Sequence, residues 1–577
     1  ILNYFFLISQ SKSRGYFDRI DGESNKVRCK LCSFVLTTGG GTSNMLAHLK
    51  RKHPDIMSNA RTDTTADQND STSNTSSVST CPVLHSKKLD QALTLMLATD
   101  FQPFSIVGDK GFIRFVRLLN PNYKIPDKRT IRYELLPQLF HEAKAKLKLI
   151  LSETVFLSLT TDIWTSTSMD SYITITTHFF YKDKLQSCVL TTKAIQESHT
   201  AENLRDIVLD ILTEWEIRDK IVCITTDNGA NMIKMARLLG IRSMPCFAHT
   251  LNLVVEDSLK VPELIILIEK CKKIVKYFRK SNILIQEVPT RWNSVYYMIN
   301  RLLKLIDSLT AAQRKLPQAP PIITPEEEKT LKDVVLLLDV FEQATQMISA
   351  EQYPTSSLII PIIYGLYDNI RSLEPRLSTV VGETFLQCLR DSMNQRLLNY
   401  ETRTVCRLST ILHPTFRNSF RLLENKIAAK EGIKAEINNI LRVRRASQNT
   451  SEESLEMPST SGSNRSSLLG FLKTNNNTFY SGTSSAAAIN ILKMYMETDF
   501  SDINHNWDNV VEFWKFNKHL KPLDEIAFKY LTVPATSVKS ERVFSATGYI
   551  LNLRRSMLRN DAVEMLCFLN QNYNFLE

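Results

Sequence analysis

Residues 155–195, VFLSLTTDIWTSTSMDSYITITTHFFYKDKLQSCVLTTKAI, decide how the body of this chain is read. VFLSLTTD and LQSCVLTTKAI are rich in apolar and β-branched residues, and YITITTHFFY alternates between faces, so three consecutive strands are expected. ENLRDIVLDILTEW (202–215) then carries apolar residues at helical spacing, and IVCITTDNG (221–229) is one more short β-rich run. The order is β-β-β-α-β, which specifies an α/β core.

Working outward, the period changes to 3.6 over 262–444, as in LIILIEKCKKIVKYF (264–278) and VYYMINRLLKLIDSL (295–309), with no convincing strand. That block reads as a helical insertion. Two stretches lose their apolar pattern to Ser, Thr and Asn: a linker over 55–86, most polar at 57–84, and a loop over 445–487. Such compositions offer no face to bury and are expected to be disordered. The remaining segments are 11–54, an intermediate helical region at 87–150, a first core part at 151–261 and a C-terminal part at 488–577. No internal repeat is found.

The 577 residues are too many for one core, and their 43% hydrophobic content permits several. A formal charge of +11 favours polyanionic partners without specifying one. Ten cysteines, with one closely spaced pair, do not form a disulfide framework, so a reducing compartment is expected. ILNYFFLISQ (1–10) lacks the basic flank and cleavage site of a signal peptide, and no apolar run of membrane-spanning length occurs, so a soluble chain is expected. The chain opens on Ile1, so its natural start is expected upstream.

A cluster near the beginning carries chemistry. Cys29 and Cys32 in VRCKLC are followed by His48 and His53 in TSNMLAHLKRKHPDI (42–56). Two thiolates and two imidazoles are the donor set of a closed tetrahedral zinc site, and zinc is the expected structural cofactor. Thr42 or Ser43 is positioned to cap the helix bearing the histidines. Lys50, Arg51 and Lys52 flank the second pair, and residues 1–53 hold nine Lys or Arg against three Asp or Glu, a balance suited to phosphate contacts. Together with the preceding SRGYFDRI (13–20), these residues resemble a BED-type zinc finger. Tyr16 and Phe17 fit that family's aromatic pair, and Arg14 stands where many members have Trp.

Asp162 and Asp227 each end a strand, the first and the fourth of the order above. In that order the two strand ends can lie side by side and share divalent metals. Glu541, at the start of a helix expected after Pro534, is a candidate third carboxylate. Taken singly, an Asp after a strand is more often a turn or a helix cap.

TTDIWTS, TTDNGANM, CFAHTLNL, PTRWNS and SERVFSATG stand here in the order seen in hAT-superfamily transposases and their domesticated relatives. The resemblance runs from about residue 96 to the C-terminus. It implies an RNase H-like α/β core interrupted by a large all-helical insertion and completed by a C-terminal dimerisation region. It also implies an acidic triad of Asp162, Asp227 and Glu541 binding Mg2+ or Mn2+. Cys246 and His249 match the family's CxxH, with His249 near the active site. Arg291 and Trp292 match an RW pair that contacts transposon-end DNA, with Trp292 as a stacking platform; the alternative is a buried tryptophan on a helix. In the dimerisation region Val563, Leu566 and Leu569 would serve equally well inside a core. ILHPTFRN places His413 where relatives often carry Asp.

Two functions remain open on these grounds. One is an enzyme that cuts transposon-end DNA. The other is a domesticated, non-catalytic transcription regulator. Both imply double-stranded DNA as partner, a homodimer or higher homo-oligomer, a nuclear location, and neither a membrane nor a small-molecule substrate.

Overall fold

The computed structural model describes residues 17–19, 26–37, 45, 48, 52, 83–166, 169–278, 284–286, 288, 291–316, 318–452, 483–500, 509–550 and 558–576. Contacts divide the chain into two units, Ile1–Ser79 and Thr80–Glu577.

In the first unit, β1 (Phe17–Arg19), β2 (Lys26–Cys29) and β3 (Val35–Thr37) form an antiparallel sheet in that order. Phe17 pairs with Cys29 and Arg28 with Val35. Helical residues Met45, His48 and Lys52 recur at the spacing of one helix face. Met45 and the buried Phe17, Val27 and Cys29 make a small core of their own.

The second unit is built on a five-stranded sheet of order β6-β5-β4-β7-β8. Its strands are β4 (Leu157–Thr165), β5 (Ser171–Tyr181), β6 (Lys184–Ile195), β7 (Ile221–Thr226) and β8 (Ser243–Pro245). The first three pair antiparallel, and β4–β7 and β7–β8 pair parallel. Helix α3 (Ala201–Glu214) joins β6 to β7, giving the expected β-β-β-α-β order. The three-residue β8 was not expected; it is too short to show a period.

Alternation along β4 and β5 gives the sheet two unlike faces. On one, Leu157, Leu159, Ile173, Ile175 and Phe179 pack with α1 (Val83–Thr99), α2 (Leu136–Glu153), α3, α4 (Ala230–Leu239) and the C-terminal helix α17 (Asn560–Gln571). Val563, Leu566 and Leu569 of α17 are buried in this core. The other face is lined with hydroxyls. Ser158, Thr160 and Asp162 on β4 stand opposite His178, Thr176 and Thr174 on β5.

The block after β8 is helical among the described residues, as expected: α5 (Phe247–Ser258), α6 (Pro262–Tyr277), α7 (Trp292–Lys304), α8 (Pro325–Ile348), α9 (Ile359–Leu373), α10 (Val380–Arg396), α11 (Thr404–Ile411) and α12 (Leu423–Glu452) are its main elements. Helix α12 runs to Glu452, past residue 445, where the sequence reading began a loop. The rest of that loop to residue 482, and the linker to residue 82, lie outside the described residues, but 83–86 and 484–487, expected in linker and loop, are helical and open α1 and the next helix. The chain resumes in α13 (Ser484–Glu497), α14 (Val510–Phe516), α15 (Leu523–Leu531) and α16 (Val538–Ile550). His413 is buried against Phe416, ring centroids 4.5 Å apart, so it fills core space.

Candidate metal centres

The first centre lies in the small N-terminal unit. Cys29 ends β2, and the chain turns at once: Ser33 N–H donates to Cys29 O at 2.8 Å and Cys29 N–H to Phe34 O at 2.9 Å. Ser33 adopts φ 55°, the left-handed conformation that such a tight turn requires. The turn brings Cys32 Sγ to 3.3 Å from His48 Nε2. His48 is held between Phe34, stacked at 5.5 Å, and Phe17, edge-on at 5.9 Å. The donor atoms of Cys29, Cys32 and His48 lie within 4.8 Å of one another, an arrangement one zinc ion can fill. His53, Lys50 and Arg51 lie outside the described residues, as do Arg14 and Tyr16. Lys52 is exposed.

The second centre is built on the hydroxyl face of the large sheet. Asp162 follows Thr160 by two residues on β4, so both side chains share that face. Thr160 Oγ1 meets Ser540 Oγ at 3.0 Å, and Thr176 meets the same hydroxyl at 3.4 Å. Ser540 therefore seats the first turn of α16 on β4 and β5, and its neighbour is Glu541. Three more bonds fix the segment leading into α16: Thr225 Oγ1 to Pro534 O at 3.0 Å, Phe247 N–H to Ala535 O at 2.9 Å, and Ser537 N–H to Cys246 Sγ at 3.3 Å.

Asp227 stands directly after β7, beside β4. Its Oδ1 accepts the Gly229 N–H at 3.1 Å, and a Cβ at position 229 would sit 3.1 Å from that same oxygen. The glycine lets the chain pass this close. Asp162 does not end its strand as the sequence suggests, because β4 runs on to Thr165; Asp162, Asp227 and Glu541 are each partly exposed. The Asp162 carboxyl is pushed up to about 7, first by burial, then by the charges of Glu541 and Asp227. Its three carboxylates thus share one electrostatic site despite their distance in sequence. Among the described residues they do not form a set within 4.8 Å, as the cysteines and His48 do.

Helix α5 carries the supporting residues. Burial pushes the Cys246 thiol up, against hydrogen bonds from Ser537 and the His249 backbone. His249, three residues on, is partly exposed. Thr250 accepts from Asn228 Nδ2 at 3.0 Å, which ties α5 to the Asp227 turn. Asn252 Oδ1 accepts the Trp292 N–H at 3.1 Å. Arg291 is exposed beside it, but Trp292 is only 2% exposed and belongs to the helical core. A stacking platform must show a face to a base. The structure therefore favours the buried alternative, because Trp292 opens α7 on its apolar side.

Sequence reading had missed Ser540, Thr160 and Thr176. The polar phase of YITITTHFFY was a signal for Thr176, and the run LSLTT for Thr160; Ser540 had none.

Three family models match the chain. A BED zinc finger covers residues 11–54, a ZBED1 RNase-like domain 160–245, and the hAT family C-terminal dimerisation region 491–573. The chain joins a BED zinc finger to a ZBED1 RNase-like domain and an hAT C-terminal dimerisation region. Among similar proteins, human "Zinc finger BED domain-containing protein 4" is 24% identical over 97% of this chain and 52% of its own length. Human "Zinc finger BED domain-containing protein 6" is 23% identical over 84% of this chain and 55% of its own. The maize "Putative AC transposase" is 25% identical over 80% and 62%. The chain spans about half the length of the two human proteins. Asp162 and Asp227 fall within the stretch matched by the RNase-like domain, and Glu541 within that matched by the dimerisation region. No described helix is long and apolar enough to cross a membrane, and no disulfide joins the described cysteines.

Proposed function

We propose that this chain is a nuclear, self-associating DNA-binding protein of the hAT class, whose body cuts transposon-end DNA at Asp162, Asp227 and Glu541. The observation that carries the reading is the shared site of three carboxylates from β4, β7 and α16, two of which raise the third. In water three such groups would repel and separate. A fold that holds them together gains when a divalent cation neutralises them. Mg2+ or Mn2+ held there would supply an activated water and a stabilised leaving oxygen for phosphodiester hydrolysis. The chain's own part is to hold the carboxylates in place: Gly229 N–H orients Asp227, Ile163 N–H donates to Asp162 at 3.0 Å, and Ser540 seats Glu541. His249, on the helix tied to the Asp227 turn, and the exposed Arg291 are the proposed polar contacts to DNA beside the site.

The finger is the proposed DNA reader, with zinc on Cys29, Cys32, His48 and His53 and phosphate contacts from Lys50, Arg51 and Lys52. Replacing those three bases by Ala is expected to flatten the salt dependence of binding by roughly three units of log–log slope. An unchanged slope would mean that this segment faces away from DNA.

Strand cleavage of DNA ending in the element's terminal repeats, with Mg2+ or Mn2+, tests the catalytic reading. Wild type is expected to cut, and Asp227→Asn and Glu541→Gln to bind without cutting. Cleavage retained by both variants would refute the triad. The openness of the carboxylate set supports a second reading, a non-catalytic regulator; binding without cleavage by the wild type would favour it.

A further inference from the structure

The helical insertion grips the helix that carries Glu541. After α8 ends at Ile348, the chain passes through Glu351, whose Oε2 accepts from Lys539 Nζ at 2.9 Å. Arg542 donates to the other Glu351 oxygen, and its second nitrogen donates to Ser349 O at 3.1 Å. A few residues on, Thr355 Oγ1 accepts the Ala535 N–H at 2.9 Å. Glu351 is half-buried. Burial pulls its carboxyl up, yet the Lys539 hydrogen bond and the charges of Lys539 and Arg542 hold it below the ordinary range. It is an ionised group committed to two cations.

Lys539 and Arg542, three residues apart, share one face of α16. Ser540 points instead to Thr160 and Thr176 on the sheet. Glu541 is about 100° around the helix from each of Ser540 and Arg542. On its sheet side α16 is held by Ser540, by Phe544 against Trp164 with ring centroids 4.7 Å apart, and by Thr547 Oγ1 at 3.1 Å from Cys567 Sγ, and none of these contacts is on the face that carries Lys539 and Arg542. The grip from Glu351 comes from a different direction and opposes rolling of the helix. Rolling would carry the Glu541 carboxylate along an arc away from Asp162 and Asp227.

We propose that Glu351 is a positioning residue: through Lys539 and Arg542 the helical insertion sets the rotation of α16, and so holds Glu541 towards Asp162 and Asp227. The proposal rests on the reading of those three carboxylates as a metal site. It gives the insertion a task at the site without any contact with the reacting atoms.

The test is Mn2+ binding to the full, zinc-loaded chain, followed by electron paramagnetic resonance, for wild type, Glu541→Gln, Glu351→Ala and Glu351→Asp. Far-ultraviolet circular dichroism reports folding. The expected result is a loss of Mn2+ affinity of about 10- to 100-fold in Glu351→Ala, the range for outer-shell partners of metal sites, with partial recovery in Glu351→Asp. Should Glu351→Ala not fold, the double variant Lys539→Met, Arg542→Met removes the grip from the other side and is expected to lose the same affinity. Wild-type affinity in Glu351→Ala or in that double variant, with loss in Glu541→Gln, would overturn the clamp and leave the triad standing. Wild-type affinity in Glu541→Gln would overturn the triad and the clamp together.

Discussion

Asp162 is the residue at which the electrostatics of the site can be read without DNA. Its carboxyl moves from the ordinary 3.8 up to about 7, because burial and the charges of Glu541 and Asp227 disfavour the anion. Between those values the folded chain keeps a proton that the unfolded chain has lost. Stability changes with pH as the unfolded-minus-folded difference in bound protons, which is negative here. The contribution of Asp162 to stability therefore falls as pH rises from about 4 to about 7, and the cost stays in full above that. At about 1.4 kcal/mol per pH unit the cost has a ceiling of about 4 kcal/mol in the absence of metal. Asp162→Asn removes the titration and keeps an oxygen for the Ile163 N–H. The variant should match wild type near pH 4 and exceed it by up to that ceiling at pH 8. Adding Mg2+ at pH 8 should then stabilise wild type and leave the variant unmoved. Urea unfolding followed by tryptophan emission reports on the body alone, since all five tryptophans lie at residue 164 or later. A difference between variant and wild type that is the same at pH 5 and pH 8 would refute the reasoning.

Cys32→Ser in the full chain should release the finger's zinc, because a thiolate is lost from a set that must be complete, while the tryptophan-detected unfolding of the body stays put. A colorimetric zinc assay checks it, and full retention of zinc would remove Cys32 from the ligand set. Trp292→Ala should cost about 3–5 kcal/mol of body stability, since a buried indole leaves a cavity. Unchanged stability with weaker DNA binding would instead put the indole back on the surface.

Local pattern carried much of this protein. The β-β-β-α-β order is legible because the side chains of strands and helices repeat at different periods, and the Cys29-x2-Cys32 pair because a metal turn needs short spacing. The seat of Glu541 is not legible in this way. Glu541 is followed by no strand and preceded by an unremarkable PATSVKS, and what places it at Asp162 is a hydroxyl contact between Ser540 and Thr160, far apart in sequence. Periodicity reports which side of an element is apolar. It cannot report which distant element will cover that side.

The same limit explains Trp292 and α17. An indole at a helix start, or Val563, Leu566 and Leu569 at helical spacing, announces an apolar stripe and leaves its partner open. Tertiary packing resolved both towards the chain's own core. The sequence by itself determined the β-β-β-α-β succession, the helical insertion, and the donor types of both candidate metal centres, because these depend on residue chemistry and near-neighbour spacing. Only the tertiary structure decided that three carboxylates share one field and that Glu351 reaches Lys539 and Arg542, because such contacts form only once chain closure has brought distant segments together.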